Sequence, residues 1–85
     1  KMRYNENYVI KKTLLGRLYL ANQETGDVVD VNPITVDILE TIKKEQPTKE
    51  ELIMKMCAEY DAAESEIRAD IEEILQVLSE YNIVY

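Results

Sequence analysis

The chain has 85 residues, enough for one hydrophobic core and too few for two, so a single domain is expected over residues 2–85, with Met2 as the natural start. Hydrophobic residues make up 46% and charged residues 32%, the composition of a chain that folds, and a net charge of −7 disfavours nucleic acid as a partner. With no histidine, one cysteine and two glycines, the parts of a zinc finger, an iron–sulfur site, a His-based triad, a phosphate-cradling loop and an internal disulfide are missing, so neither catalysis nor any metal or other cofactor is expected.

The amino-terminal KMRYNENY lacks the apolar core of a signal peptide, and no apolar run approaches the roughly 20 residues of a membrane span. A soluble, cytoplasmic protein is expected, and the lone Cys57, read as a small buried hydrophobe, fits a reducing compartment. Charge is uneven. Up to Gln23 five bases face one acid, whereas from Glu24 onward sixteen acids face five bases.

Tyr8 to Leu14 is β-branched at its start and follows the turn-like Asn5-Glu6-Asn7, which predicts a first strand. A second strand is expected over Gly16 to Ala21 and a third over Asp27 to Val31. Gly26 supplies the positive φ that the hairpin between them needs. Leu18 and Leu20 share one face with Val29 and Val31, while Val28 points to the other. Everything downstream reads as helix, so the third strand is expected at the sheet edge with its outer backbone groups unpaired.

Asn32 is a favourable N-cap and Pro33 suits the first helical position; Ile34, Ile38, Leu39 and Ile42 then recur at helical spacing up to Lys43 and Lys44, before Pro47. Thr48 with Glu51 has the spacing of a capping box, opening a second helix with the stripe Leu52, Ile53, Met56, Cys57 and Tyr60. A third helix begins at Ala63 or Ser65 and runs to about Tyr81, with Ile67, Ile71, Ile74, Leu75 and Leu78 inward and Ile83 to Tyr85 returning as an apolar tail. Tyr60, Tyr81 and Tyr85 read as the rim of the core. The expected class is α+β: a winged helix-turn-helix with a three-stranded antiparallel sheet followed by three helices.

This order of elements resembles the PqqD-like family, the winged-helix modules known as recognition elements for ribosomally made, modified peptides (RiPPs). The resemblance is carried by Val31-Asn32-Pro33 with Ile38-Leu39, by Glu51-Leu52 and Glu59-Tyr60-Asp61, and by Ile67, Asp70-Ile71, Leu75 and Leu78. Two departures stand at turns. Glu45-Gln46-Pro47 replaces a glycine that often follows the first helix, and Asn82 stands where a late glycine is common.

The resemblance implies a non-catalytic protein that binds the leader segment of a precursor peptide and presents it to a maturation enzyme, such as a radical SAM enzyme, a leader peptidase or a cyclase. The leader would add antiparallel to the third strand, at Val28, Val29, Asp30 and Val31, and place side chains against Ile67, Arg68, Ile71, Glu72 and Leu75 of the third helix. Other readings stand beside these. Ile71 and Leu75 could be plain core, and Arg68 could pair with Glu64 or Glu72 within its own helix. A winged-helix DNA-binding regulator and a general docking domain are the alternative functions, the first opposed by the acidic third helix. A monomer or weak homodimer is expected, because the free edge is only about four residues long.

Overall fold

The computed structural model describes all residues 1–85 and runs β1 (Tyr8–Lys12), β2 (Leu18–Asn22), β3 (Val28–Asp30), α1 (Pro33–Glu45), α2 (Lys49–Glu59) and α3 (Glu64–Glu80). The sheet is antiparallel in the order β1-β2-β3, so β3 is an edge and the fold is α+β as expected. Ile10, Leu20 and Val29 pair in one row across the three strands. Leu20 is fully buried at its centre, and Ile10, Val29 and Val31 pack against the core from either side.

The first two strands are displaced from their expected limits. β1 ends at Lys12 instead of Leu14 because Thr13 starts a turn: its hydroxyl accepts the Arg17 N–H at 2.9 Å and its carbonyl accepts the Gly16 N–H at 2.9 Å. Leu14 and Leu15 therefore stand almost fully exposed, and β2 starts at Leu18. In the second turn Asn22 Oδ1 accepts the N–H groups of Glu24 and Thr25 at 2.8 and 3.0 Å, and Gly26 takes φ 83°. An asparagine inside the core face of β2 is thus satisfied by its own turn.

Local signals place the first two helices. Asn32 Oδ1 accepts both the N–H and the hydroxyl of Thr35, at 2.8 and 2.7 Å, with Pro33 opening the helix. Thr48 and Glu51 form the reciprocal capping box, with bonds of 3.2 and 2.8 Å. α3 starts without a side-chain cap, and Glu64 and Glu66 in its first turn suit the positive end of the helix dipole.

The two turns where glycine is replaced both adopt left-handed backbone: Gln46 has φ 47° and Asn82 φ 56°. Gln46 donates its N–H to Ile42 O at 3.0 Å, closing α1. After Asn82 the chain folds back so that the Ile83 N–H reaches Leu78 O at 2.8 Å. This return buries Ile83 and Val84, as anticipated for the tail, while Tyr81 and Tyr85 stay largely exposed.

The N-terminus has a role that local pattern does not reveal. Tyr4 bridges Val84 in antiparallel fashion, and Arg3 and Tyr85 exchange two backbone bonds of 2.7 and 3.0 Å. The Tyr4 hydroxyl donates to Tyr8 O, and burial, reinforced by Glu6, pushes its pKa up to about 12. The Tyr8 hydroxyl donates to Tyr81 O at 2.9 Å, so both tyrosines belong to the core.

The centre of that core is Leu20, Ile38, Leu39, Ile42, Leu52, Ile53 and Ile83, all fully enclosed. Cys57 is half-buried against it. Ile34 departs from its expected inward position. The buried residues of α1 are Thr35, Ile38, Leu39, Thr41 and Ile42; Ile34 shares their side of the helix but sits in its first turn, at the end of the core, and is 44% exposed. No helix is long and apolar enough to cross a membrane.

Candidate functional site: the open edge of β3

The free edge of β3 has a definite parity. Val31 donates its N–H to Leu18 O at 3.2 Å and Asn22 donates to Asp27 O at 2.8 Å, so the ladder bonds to β2 fall on Asp27, Val29 and Val31. Antiparallel pairing alternates, and Val28 and Asp30 therefore direct N–H and C=O away from the sheet. These four backbone groups form the open template. The side chains alternate in step: Val29 and Val31 turn inward, while Val28, 57% exposed, and Asp30 turn to the outer face.

Beside this edge lies a groove of about 160 Å³. Val29 and Val31 form one wall, Glu73, Ile74, Val77 and Leu78 of α3 form the other, and Thr35 closes the end. Val77 is 44% exposed although it is a β-branched hydrophobe on a helix that buries Leu78 next to it. Five of the eight lining residues are apolar and three, Asp30, Thr35 and Glu73, are polar; the Glu73 carboxylate has no cation within ion-pair distance.

The structure brings the expected strand residues Val28, Val29, Asp30 and Val31 to this edge but turns a different face of α3 toward it. Ile67 and Ile71 are buried in the core, and Leu75 is half-buried against it. Arg68 points at the start of α2, where its two terminal nitrogens bond the two carboxylate oxygens of Glu50 at 2.7 and 2.9 Å, with Glu64 more distant at 3.8 Å. That forked pair, rather than an intrahelical one, is its main partnership. The guanidinium holds the Glu50 carboxyl below its usual pKa, and Glu50 in turn raises that of Arg68. Glu72 pairs with Lys49 at 2.8 Å on the same flank.

So none of the expected α3 residues lines the β3 groove; Glu73, Ile74, Val77 and Leu78 do. Helical periodicity identifies the buried stripe, but which neighbour flanks each side of it depends on how α3 crosses α2 and the sheet. One signal in the sequence pointed the right way. Val77 is an apolar residue left over once the inward stripe has been assigned.

Asp30 is also committed elsewhere. Its Oδ1 accepts Arg17 Nε at 3.0 Å and a terminal nitrogen at 2.5 Å, on the outer face of the sheet, where the Arg17 guanidinium lies 5.6 Å from the Tyr19 ring centre. Its backbone, not its carboxylate, faces the edge.

An α+β domain of three antiparallel strands and three helices, with an unpaired edge strand and an apolar groove beside it, is the class these features define. The chain belongs to the family described as coenzyme PQQ synthesis protein D (PqqD), whose model matches residues 17–84. Among solved structures it is similar to a lasso peptide synthetase B1 complexed with the leader peptide, with a TM-score of 0.77 and 15% identity over 99% of this chain and 96% of that one. It is likewise similar to TbiB1 in complex with the TbiA(beta) leader peptide, with a TM-score of 0.75 and 18% identity over 96% and 93%. A comparison with curated proteins gives no match.

Proposed function

We propose that this chain is a non-catalytic module that captures the leader segment of a ribosomally made precursor peptide and delivers it to a maturation enzyme such as a radical SAM enzyme, a leader peptidase or a cyclase. The observation that carries this reading is the β3 edge: Val28 and Asp30 offer four outward backbone groups directly beside a groove walled by Val29, Val31, Ile74 and Val77. The leader adds antiparallel to β3 and places alternate side chains into the groove. Membership of the PqqD family and the likeness to two leader-peptide complexes support it. The whole of residues 2–85 acts as one domain, and the cytoplasm, where a precursor leaves the ribosome, is its place of action.

The magnitudes are sufficient. Four backbone bonds at roughly 0.5–1.5 kcal/mol each and two or three buried apolar side chains at roughly 1.5–3 kcal/mol each oppose the cost of association and of ordering the peptide. The balance corresponds to roughly micromolar binding or tighter. In this reading Arg68 and Glu72 hold α3 on α2, and Ile67, Ile71 and Leu75 support the groove from the core.

The test is to search the neighbouring genes for a short precursor and titrate the chain with the synthetic leader found there, followed by Val28→Pro. That substitution removes one outward N–H at the first residue of an edge strand, where proline is tolerated. Unchanged circular dichroism with at least tenfold weaker binding is expected. A Val28→Pro chain that binds the leader as tightly as the parent overturns strand addition.

A further inference from the structure

β3 is not the only free edge of the sheet. In the order β1-β2-β3 the other is β1. Thr13 donates its N–H to Arg17 O at 2.8 Å and Asn7 O accepts the Gln23 N–H at 2.8 Å, so the ladder to β2 falls on Asn7, Val9, Lys11 and Thr13. Tyr8, Ile10 and Lys12 therefore direct their backbone groups away from the sheet. At Tyr8 the edge is closed: its N–H donates to Asn5 O at 3.0 Å and its carbonyl accepts the Tyr4 hydroxyl. The N–H and C=O of Ile10 and Lys12 have no partner in the chain, which leaves as many open groups as on β3.

The surroundings of the two edges differ in sign. Clefts of about 320 and 570 Å³ run between β1 and α1, with Ile10 and Lys43 in both walls, Tyr4 and Glu6 in the first, and Glu40 and Lys44 in the second. Five of the ten bases have no acid within ion-pair distance. Three of those, Lys11, Lys12 and Lys44, stand exposed along this flank of a chain whose net charge is −7. Lys43 is held by Glu6 only at 3.8 Å, and Glu40 is the cleft's other acid. Beyond Lys12 the turn carries Leu14 and Leu15, almost fully exposed and fixed in place by the bonds of Thr13 to Gly16 and Arg17.

Lysines on an edge strand usually keep it from pairing. That role accounts for Lys11 and Lys12, but not for Lys44 on α1, nor for two leucines set in water at the end of the same edge.

We infer that the β1 edge is a second strand-addition site, which takes an extended acidic segment of a partner protein while β3 stays free. In a strand added antiparallel to β1, the residues opposite Lys12 and Ile10 stand two places apart and turn their side chains to the α1 side. The fitting segment has Asp or Glu two residues before an apolar residue, a further acid within reach of Lys44, and an apolar residue at the end nearest Leu14 and Leu15. A second copy of this chain does not suit. Pairing that uses Ile10 and Lys12 of both copies sets the two Lys11 side chains directly opposite each other. With both edges filled, the two added strands lie four strand spacings apart in one sheet, about 19 Å. The β1 site goes beyond the leader reading, and each can fail alone.

The experiment has two arms on the whole chain. Hydrogen exchange followed by NMR in the free chain should show slow amides at Val9 and Lys11 and fast ones at Ile10 and Lys12. A displayed library of randomised peptides of about ten residues, selected against the parent, should yield a group that Lys12→Pro loses and Val28→Pro keeps, carrying the acid-x-apolar spacing. Lys12→Pro removes one outward N–H at the last residue of an edge strand and should leave circular dichroism unchanged. A synthetic member of that group should bind Lys12→Pro at least tenfold more weakly than the parent, bind the double variant K12E/K44E several-fold more weakly, and slow exchange at Ile10 and Lys12. If Lys12→Pro unfolds, the double variant and the exchange pattern decide by themselves. Selected peptides that all depend on Val28 and bind Lys12→Pro as tightly as the parent overturn the second site and leave leader capture at β3 standing. A basic or uncharged consensus at this edge overturns the acidic partner. A dimer of the parent that Lys12→Pro dissolves, seen by sedimentation, gives the edge to a second copy and overturns the proposal.

Discussion

α3 presents one flank to α2 and the other to β3, and the two differ in how completely their polar groups are partnered. On the α2 flank, Arg68 forks onto Glu50 and Lys49 reaches Glu72. On the β3 flank Glu73 has no cation, Val77 is half in water, and the backbone of Val28 and Asp30 faces nothing. A helix docked the same way on both sides would have no reason to leave one of them open. The difference separates the interface that holds the domain together from the one proposed to receive the peptide, although both are built from the same acidic, isoleucine-rich sequence.

The largest expected effect breaks both flanks at once. Leu78 lines the groove wall, is buried, and accepts the tail's N–H groups through its carbonyl. Leu78→Ala should destabilise the domain by about 2–5 kcal/mol, read by urea denaturation, with peptide binding lost in proportion to the unfolded fraction. A loss below about 1 kcal/mol would mean that this position repacks freely and that the two flanks are not tied together through it.

Val77→Asp addresses the β3 flank alone. The side chain is already 44% exposed, so the fold should hold while leader affinity falls roughly tenfold, measured by calorimetry. Unchanged affinity would remove Val77 from the groove's working surface.

Arg68→Gln addresses the α2 flank, and there the effect should be on stability, small, and dependent on pH. The carboxyl of Glu50 is held below its ordinary pKa of 4.5, first by the hydrogen bonds from Arg68. A depressed carboxyl pKa adds stability above the unfolded-state value and loses it as pH falls through the folded-state value. Parent and Arg68→Gln should therefore differ in thermal midpoint at about pH 6 and converge as pH drops well below 4.5, with leader affinity at neutral pH unchanged. If Arg68→Gln weakens the leader without changing the midpoint, the guanidinium serves the peptide instead of α2.

The smallest effect leaves both flanks intact. Gln46 holds left-handed backbone at φ 47° where glycine has no steric penalty. Gln46→Gly should raise stability by a fraction of a kcal/mol, up to about 1, with binding unaltered. Asn82→Gly should gain less, because asparagine tolerates this conformation better than glutamine. No gain at Gln46 would show that the extra freedom glycine gives the unfolded chain offsets the relief of backbone strain.

Much of the fold could be read along the chain because its determinants act within about four residues. Asn32-Pro33 and Thr48 with Glu51 start their helices through bonds to N–H groups three residues on, and Gly26 turns the hairpin with its own φ. Alternation in the strands and 3.6-residue periodicity in the helices separate inward from outward residues, and sheet order followed from the helices leaving no fourth strand. The β3 half of the candidate site was legible for that reason: an edge is a property of element order.

The other half was decided only by tertiary structure. Whether Arg68 meets Glu72, a leader or Glu50 depends on the angle at which α3 crosses α2, as does the choice of Ile74 and Val77 over Ile71 and Leu75 for the groove. The clasp between Tyr4 and Val84 joins residues at opposite ends of the chain that no local pattern connects. Composition and periodicity determined which elements form and which side of each is buried, since those energies are local or area-like. The partner of each exposed flank was determined by packing, because a helix's rotation and crossing angle emerge only when the whole core closes around Leu20, Ile38 and Ile53.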